Sequence, residues 1–144
     1  MKLLVIIISV FLVVSCSEVG NAPQVEPDTV CDSFIDIVSE DQFNTPGDAD
    51  FNIKNVVINQ DCLSISIVDS GCNADNWEVT LLTTSSVMES NPIQKALKIK
   101  LINNQACLAV FQKTKTFDLT PIQVEGEDEI ILNIEGLDMI VYTY

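Results

Sequence analysis

Five cysteines are the residues of this 144-residue chain that offer the most chemistry. Cys31, Cys62, Cys72 and Cys107 form an even set in which neighbours are at least ten residues apart. Zinc and redox sites use close pairs such as Cys-x-x-Cys, and zinc sites commonly add histidine, which the chain lacks. Even sets of thiols in exported chains form disulfide bonds instead. We therefore expect these four cysteines to be structural.

Cys16, the fifth cysteine, follows a segment typical of a secretory signal. Lys2 precedes a run over residues 3–14 that is apolar except for Ser9, and the small residue Ser15 stands directly before the cysteine. This order resembles a bacterial lipobox, which implies cleavage after Ser15 and acylation of Cys16 with diacylglyceryl and N-acyl chains. This run of twelve residues, eleven of them apolar, is too short for a transmembrane helix, which needs roughly 20. We therefore predict a lipoprotein signal peptide at residues 1–15 and lipidation of Cys16.

Residues 16–30 are predicted to be the lipidated cysteine and a flexible tether, because they contain Gly20, Pro23 and Pro27 and no apolar period. Ser17 stands where an aspartate would, by resemblance to known sorting rules, imply retention in the inner membrane. The resemblance therefore implies attachment to the outer membrane. Residues 28–30 resemble a short O-glycosylation sequon of Bacteroidota-type bacteria, and the sequence leaves open whether Thr29 is glycosylated.

The exported part is strongly acidic, since all 21 carboxylate side chains follow Cys16 and six lysines remain once Lys2 is removed. The resulting net charge of about −15 repels polyanions. The chain also has no arginine, whose planar side chain forms paired hydrogen bonds to phosphate. These features argue against binding to nucleic acid, nucleotides or anionic lipids.

The absence of histidine narrows the possible chemistry further. No Ser-His or Cys-His pair is available for nucleophilic catalysis, and no imidazole is available to bind zinc. We therefore predict a non-enzymatic protein without a cofactor or a metal.

From Phe34 onward, apolar and polar residues alternate with the period of half-buried β-strands. Leu63, Ile65 and Ile67, separated by Ser64 and Ser66, give the clearest case. Eight segments of this kind are separated by turn-forming residues: 34–38, 51–58, 63–68, 77–82, 96–101, 107–117, 130–134 and 139–144. They predict a single all-β domain at residues 31–144, an antiparallel β-sandwich of immunoglobulin-like size. A helix is conceivable over residues 87–96, but Pro92 interrupts it.

The order of the strands ranks the possible disulfide pairings. If successive strands alternate in direction, Cys31 and Cys62 precede strands that start at one end of the sandwich. Cys72 and Cys107 precede strands that start at the opposite end. Cys62 and Cys72 flank one short strand and would lie about 20 Å apart, beyond the Cα separation of ~7 Å that a disulfide allows. We therefore predict the pairs Cys31–Cys62 and Cys72–Cys107.

Two acidic loops and four aromatic residues are further candidate sites. Residues 125–129 and residues 48–50 offer carboxylate oxygens, the ligands that Ca²⁺ prefers. Neither run has EF-hand spacing, so we interpret both as solvated loops and leave calcium binding open. Trp77, Phe111, Tyr142 and Tyr144 could form a binding platform, but a lone tryptophan at the start of a strand is more often a core residue.

Five short runs carry a family resemblance: QDCLSI at 60–65, DSGC at 69–72, AC at 106–107, TFDL at 116–119 and VYTY at 141–144. The pattern is similar to that of small uncharacterised Bacteroidota-type lipoproteins, and it covers residues 51–144. The resemblance implies a compact β-rich lipoprotein domain and no established activity. A histidine commonly stands three residues after the Gly-Cys of that pattern, whereas this chain has Asp75.

These observations predict a lipid-anchored protein of the cell envelope whose acidic β-sandwich serves as an interaction or structural module. Its partners would be the membrane, through acylated Cys16, and an envelope protein or glycan. The sequence leaves open the identity of that partner, the face of the outer membrane and the oligomeric state. The alternative hypothesis is a surface inhibitor or accessory subunit of secreted enzymes, which would present loop 69–76 or loop 83–92. An enzyme that uses carboxylates alone would need a paired set in a cleft, which the sequence does not show.

Overall fold

The computed structural model describes residues 30–47 and 50–144. The predicted signal peptide, Cys16, Thr29 with the rest of the tether before Val30, and Asp48 lie outside these residues. Within them, nine strands form two sheets that pack face to face. The strands are β1 (Ser33–Phe34), β2 (Asp36–Val38), β3 (Asn52–Asn59), β4 (Cys62–Gly71), β5 (Glu78–Thr84), β6 (Gln94–Ile102), β7 (Ala109–Asp118), β8 (Glu129–Ile134) and β9 (Ile140–Thr143).

Sheet A has the strand order β1-β7-β4-β3, and sheet B has the order β2-β5-β6-β8-β9. This architecture confirms the predicted all-β sandwich, and all eight predicted segments contain strands at nearly the expected positions. Contrary to the prediction, the pairing is not antiparallel throughout, because three neighbouring pairs are parallel: β1 with β7, β2 with β5 and β6 with β8. The other described pairs are antiparallel. Parallel pairs need crossover connections, so the chain passes between the sheets instead of forming hairpins throughout.

The core lies between the sheets and follows the alternation of the sequence. Leu63, Ile65 and Ile67 of β4 point inward and are at most 1% exposed. Burying one such side chain stabilises the fold by about 1.5–3 kcal/mol. Trp77 is buried in the same core, which confirms its interpretation as a core residue. Strand β6 contributes a matching inward set: Leu97, Ile99 and Leu101.

The first predicted strand is divided between the two sheets. Ser33 and Phe34 pair with the end of β7 in sheet A, whereas β2 pairs with β5 in sheet B. Ile35, which lies between β1 and β2, is buried in the core. One short segment therefore contributes an edge strand to both sheets on the same side of the sandwich.

A short helix that the alternation does not predict, α1 (Glu40–Asn44), follows β2. A capping box starts it, because Ser39 Oγ accepts from the Gln42 N–H and the Gln42 side chain accepts from the Ser39 N–H. Ser-x-x-Gln is a sequence signature of this motif, so residues 39–42 carried the signal. Residues 87–93 form a loop that ends in a bridge between Met88 and Gln94, not a helix. Within residues 30–47 and 50–144, no helix has the length and apolar character needed to cross a membrane.

The two disulfide bonds are the pairs that the strand order predicts. The Cα atoms lie 5.7 Å apart in Cys31–Cys62 and 4.9 Å apart in Cys72–Cys107. Cys62 begins β4, and Cys72 directly follows its last residue. The bridges therefore lie at opposite ends of one central strand, as the length of the intervening strand requires.

Candidate binding groove

The side of the sandwich formed by β1 and β2 is held together by two lysines of β7. Strand β2 pairs with β5 only at residues 82–84. At the residues that precede this pairing, two lysines donate to backbone carbonyl oxygens. Lys113 Nζ donates to those of Asp75 (3.2 Å) and Trp77 (2.6 Å), and Lys115 Nζ donates to that of Val79 (3.0 Å). These charge-assisted hydrogen bonds join sheet A to sheet B where no strand covers β5. We call this the bridged side.

The opposite side, which we call the open side, has two unpaired strand edges. Strand β3 ends sheet A and β9 ends sheet B, and each pairs with a single neighbour. Their outward backbone N–H and C=O groups bind water or an added strand. A bulge between Ile53 and Asn55 interrupts the register of β3 next to Lys54. Bulges and lysines at an edge hinder indiscriminate strand pairing.

A groove runs along the open side between β3 and the start of β9. Its wider part has a volume of about 570 Å³ and its narrower part about 280 Å³, and both parts share Ile53 and Leu137. Parallel pairing of β8 with β6 ends at Leu97, so Ile99 of β6 lines the wider part. Half-buried apolar side chains complete the lining: Phe51, Val56 and Ile140. We call this cleft the β3–β9 groove.

Carboxylates line the rim of the β3–β9 groove. Asp50, Glu135 and Asp138 are exposed there. Among the described residues, no ammonium group is bonded to any of these three carboxylates. Lys98 also lines the groove, but its Nζ donates to the carbonyl oxygens of Phe43 (3.2 Å) and Thr45 (3.4 Å). The rim therefore offers three unpaired negative charges to a ligand.

Tyr142 of β9 is hydrogen-bonded to the turn that follows β3, outside the groove. Its hydroxyl donates to Asp61 Oδ1 (2.5 Å) in the turn between β3 and β4, and it accepts from Gln123 Nε2 (2.8 Å). Gln123 Nε2 also donates to Asp61 Oδ1 (3.1 Å). Burial of the phenol and the hydrogen bond to the Asp61 carboxylate raise the pKa of Tyr142. This network is structural, because the Tyr142 side chain is fully buried.

The acidic loops do not bring three carboxylates together in the described part of the chain. Glu125, Asp128 and Glu129 are exposed before and at the start of β8. Among residues 30–47 and 50–144, no three Asp, Glu or Cys side chains are placed to share a metal ion. Asp50 lies at the groove rim, and Asp48 lies outside the described residues.

The four aromatic candidates do not form one platform. Trp77 and Tyr142 are buried, whereas Phe111 and Tyr144 are partly buried against the core. None of the four lines the β3–β9 groove. Asp75, which stands where the resemblance expects a histidine, is exposed in the loop between β4 and β5.

Residues 103–108 form a loop, although the predicted strand 107–117 included its last two residues, and this loop is fixed beside the loop at 72–77. Residues 69–71 of the predicted loop 69–76 belong to β4. The Cys72–Cys107 bridge joins the two loops. Gln105 Oε1 accepts from the N–H groups of Cys72 (2.5 Å) and Asn73 (2.9 Å), and its Nε2 donates to Asn73 O (2.8 Å). Leu108, next to the bridge, is 90% exposed. The disulfide and these hydrogen bonds therefore fix the backbone next to Leu108, whose apolar side chain is exposed to water.

No protein-family model matches the chain, and a search of curated proteins finds no match. Among solved structures, the fold is similar to that of a DUF1344 protein of unknown function from Bacteroides vulgatus ATCC 8482, with a TM-score of 0.50 and 15% sequence identity. The similarity covers 78% of this chain and 55% of that chain, so this chain spans about half of its neighbour's length. At this identity the likeness concerns the fold alone.

Proposed function

We propose that this chain is a lipid-anchored protein of the cell envelope, attached to the outer membrane, and that its β-sandwich is a non-enzymatic interaction module. The β3–β9 groove is its binding surface. One observation carries the proposal: the sandwich is bridged along one side and open along the other, where two unpaired edge strands flank an apolar cleft with three free carboxylates.

The chemistry of the groove selects an extended polypeptide segment with basic side chains. An added strand satisfies the free backbone groups of β3, and alternate side chains then enter the apolar cleft. Lysine or arginine side chains on the other alternate positions pair with Asp50, Glu135 and Asp138. The high negative charge of the whole chain, formally −14, speeds the encounter with a cationic partner.

The sequence supports the anchoring part of the proposal. Ser15-Cys16 after an apolar segment resembles a lipobox, and the motifs between residues 60 and 144 resemble those of Bacteroidota-type lipoproteins. Several acyl chains on one cysteine hold a protein stably at a membrane, since each buried CH₂ contributes about 0.8 kcal/mol. Mass spectrometry of the protein from its envelope is expected to find acylated Cys16 as the first residue. An unmodified Cys16 would overturn the anchoring.

The groove is tested by nuclear magnetic resonance on the mature chain carrying Cys16→Ser. The probe is a ten-residue peptide of alternating lysine and valine, and the matched control alternates glutamate and valine. We expect the basic peptide to shift the amide signals of β3 and β9 and the acidic peptide to leave them unchanged. Leu137→Lys, which places a positive charge within the groove, is expected to weaken the basic peptide's binding about tenfold.

Two outcomes contradict this assignment of the groove. Equal binding of both peptides would show that the carboxylates at the rim do not select a basic ligand. Shifts confined to residues outside β3, β9 and the turn at 135–137 would show that the basic peptide binds elsewhere on the acidic surface.

A second candidate function is an inhibitor or accessory subunit of secreted enzymes, and the exposure of Leu108 beside the Cys72–Cys107 bridge favours it. A rigid loop loses little conformational entropy when it enters an enzyme's cleft. An assay against secreted proteases that accept leucine is expected to show inhibition that Leu108→Asp removes. Unchanged protease activity at saturating protein would exclude this class of target.

A further inference from the structure

The outer surface of sheet A carries no charge across most of its area. On β4, residues that alternate with the buried Leu63, Ile65 and Ile67 point outward, and their partners on β3 and β7 share that face. We call these residues the neutral face: Asn55, Val57, Asn59, Ser64, Ser66, Val68, Ser70, Val110, Gln112, Thr114 and Thr116. Among the described residues, the charged ones lie at its margins: Lys54 in the β3 bulge, Asp118 as the last residue of β7, and Asp32 beside Thr116.

The outer surface of sheet B differs in charge. Its outward positions include Glu78, Lys98, Lys100 and Glu129, which alternate with inward residues of β5, β6 and β8. In a chain where charged residues make up 19% of the sequence, the neutral face is therefore a local property of one sheet. Apolar side chains are exposed on or beside it, with Phe34 63% and Val110 72% exposed.

The chain towards the N-terminus leaves the domain over the neutral face. Cys62 is an outward residue of β4, yet it is buried, because Cys31 lies across it in the disulfide. The Asp32 N–H donates to Thr116 Oγ1 (2.8 Å), an outward hydroxyl of β7. Val30, the first described residue, is exposed. The preceding part of the chain therefore joins the domain at one end of the neutral face.

We propose that the neutral face lies against the phospholipid headgroup layer of the bilayer in which acylated Cys16 is anchored. This inference rests on the lipid anchoring proposed above. Thirteen residues lie between Cys16 and Val30, so the chain between these two residues reaches at most about 50 Å. The domain therefore stays close to the bilayer.

The charge distribution selects the face that makes contact. Turning sheet B or the groove rim towards the membrane would dehydrate carboxylates and place them beside anionic headgroups, which costs free energy. The neutral face presents hydroxyl and amide groups, which bond headgroup oxygens without such repulsion, and apolar side chains that enter the interface. This orientation keeps the β3–β9 groove at the side of the domain, in water and open to a partner.

The orientation is tested with the acylated chain in vesicles of phosphatidylethanolamine and phosphatidylglycerol that contain a headgroup nitroxide lipid. Val57 lies on the neutral face at 49% exposure, and Val141 of β9 lies on the outer surface of sheet B at 55% exposure. Val57→Trp and Val141→Trp are matched probes, and subtraction of the native signal removes the buried Trp77. We expect severalfold stronger quenching at position 57 than at position 141.

Charge insertion provides the second measurement. Asn55→Asp with Gln112→Glu adds two carboxylates to the neutral face with almost no change of shape, and it is expected to lower the quenching at position 57. Thr143→Glu, on the outer surface of sheet B, is the control and is expected to change nothing. Vesicles that float without the native chain would overturn the lipid anchoring and this inference with it. Co-flotation with equal quenching at positions 57 and 141 would overturn the orientation alone.

Discussion

The backbone groups at the strand edges are bonded differently on the two long sides of the sandwich. On the bridged side, β1 and β2 are short, and Lys113 and Lys115 donate to backbone carbonyls that no strand reaches. On the open side, the longer β3 has no lysine bond to sheet B in the described part of the chain, and the cleft beside it is lined by apolar side chains. The fold therefore satisfies one set of edge groups internally and leaves the other set to water or a partner.

This difference separates stability from binding. Backbone groups that are bonded inside the protein contribute to the free energy of unfolding, whereas free edge groups contribute only when a ligand arrives. We therefore expect substitutions on the bridged side to destabilise the domain. Substitutions of exposed groove residues on the open side are expected to alter recognition with little effect on stability.

The largest expected effect comes from Cys31→Ser with Cys62→Ser, because this bridge holds the chain before β1 against the centre of sheet A. With a sequence separation of 31 residues, its removal should lower the free energy of unfolding by about 3–4 kcal/mol. Urea denaturation measures the change. The control pair, Cys72→Ser with Cys107→Ser, should cost a similar amount.

Amide exchange distinguishes those two variants. The Ile35 N–H donates to Asp118 O (3.1 Å) on the bridged side. Its protection should fall selectively when Cys31 and Cys62 are replaced. Equal loss of Ile35 protection in the two variants would contradict this. Each disulfide would then act through the global stability of the domain and not through the bridged side.

The next effect in size is expected for Lys113→Met with Lys115→Met. The variant keeps the apolar stems but leaves the carbonyls of Asp75, Trp77 and Val79 without their donors. Such losses should lower the free energy of unfolding by about 2–3 kcal/mol in total. A urea midpoint equal to that of the native chain would show that water replaces the ammonium groups at no cost.

Tyr142→Phe tests the hydrogen bonds that join β9 to the turn after β3 on the open side. Removing the hydroxyl breaks its bonds to Asp61 and Gln123 and should cost about 1–2 kcal/mol. The β3–β9 groove should keep its affinity for the basic peptide, because Tyr142 does not line it. Lost peptide binding with unchanged stability would contradict this assignment of roles.

The same residue predicts a dependence on alkaline pH. Burial raises the pKa of Tyr142 above its ordinary value of 10.0. The unfolded chain therefore ionises this phenol first as the pH rises beyond that value, and the free energy of unfolding falls by up to about 1.4 kcal/mol per pH unit. Denaturation between pH 9 and pH 11 should show a shallower decline for Tyr142→Phe than for the native chain.

The smallest effect is expected for Lys54→Met on the open side, the matched control for the two bridging lysines. Its side chain is exposed and has no bonded partner among the described residues, so the free energy of unfolding should change by less than about 0.5 kcal/mol. A larger loss, measured by the same urea denaturation, would remove the contrast between the two sides.

Much of the fold was predictable because it depends on local alternation. The period of Leu63, Ile65 and Ile67 located β4, and the length of that strand excluded a bond between its two flanking cysteines. The Ser39-x-x-Gln42 capping box was also present in the sequence, although no helix was predicted between residues 38 and 51.

The groove was not predictable, because strand order is a property of distant pairings. Nothing in the residues of β3 or β9 shows that each ends a sheet. The bridging lysines had a weak signal, since Lys113 and Lys115 alternate in phase with the inward Phe117. Their acceptors on β5 could be known only once the two sheets were placed together.

The Cys31–Cys62 bond also sets the path of mechanical load. A pull on the chain before Cys31 reaches this bond before it reaches β1, whose pairing spans only two residues. Tension therefore passes into Cys62 at the start of β4, a ten-residue strand that is paired on both of its edges. Rupture then requires many backbone hydrogen bonds to shear together, so the short edge strand is spared from being peeled away.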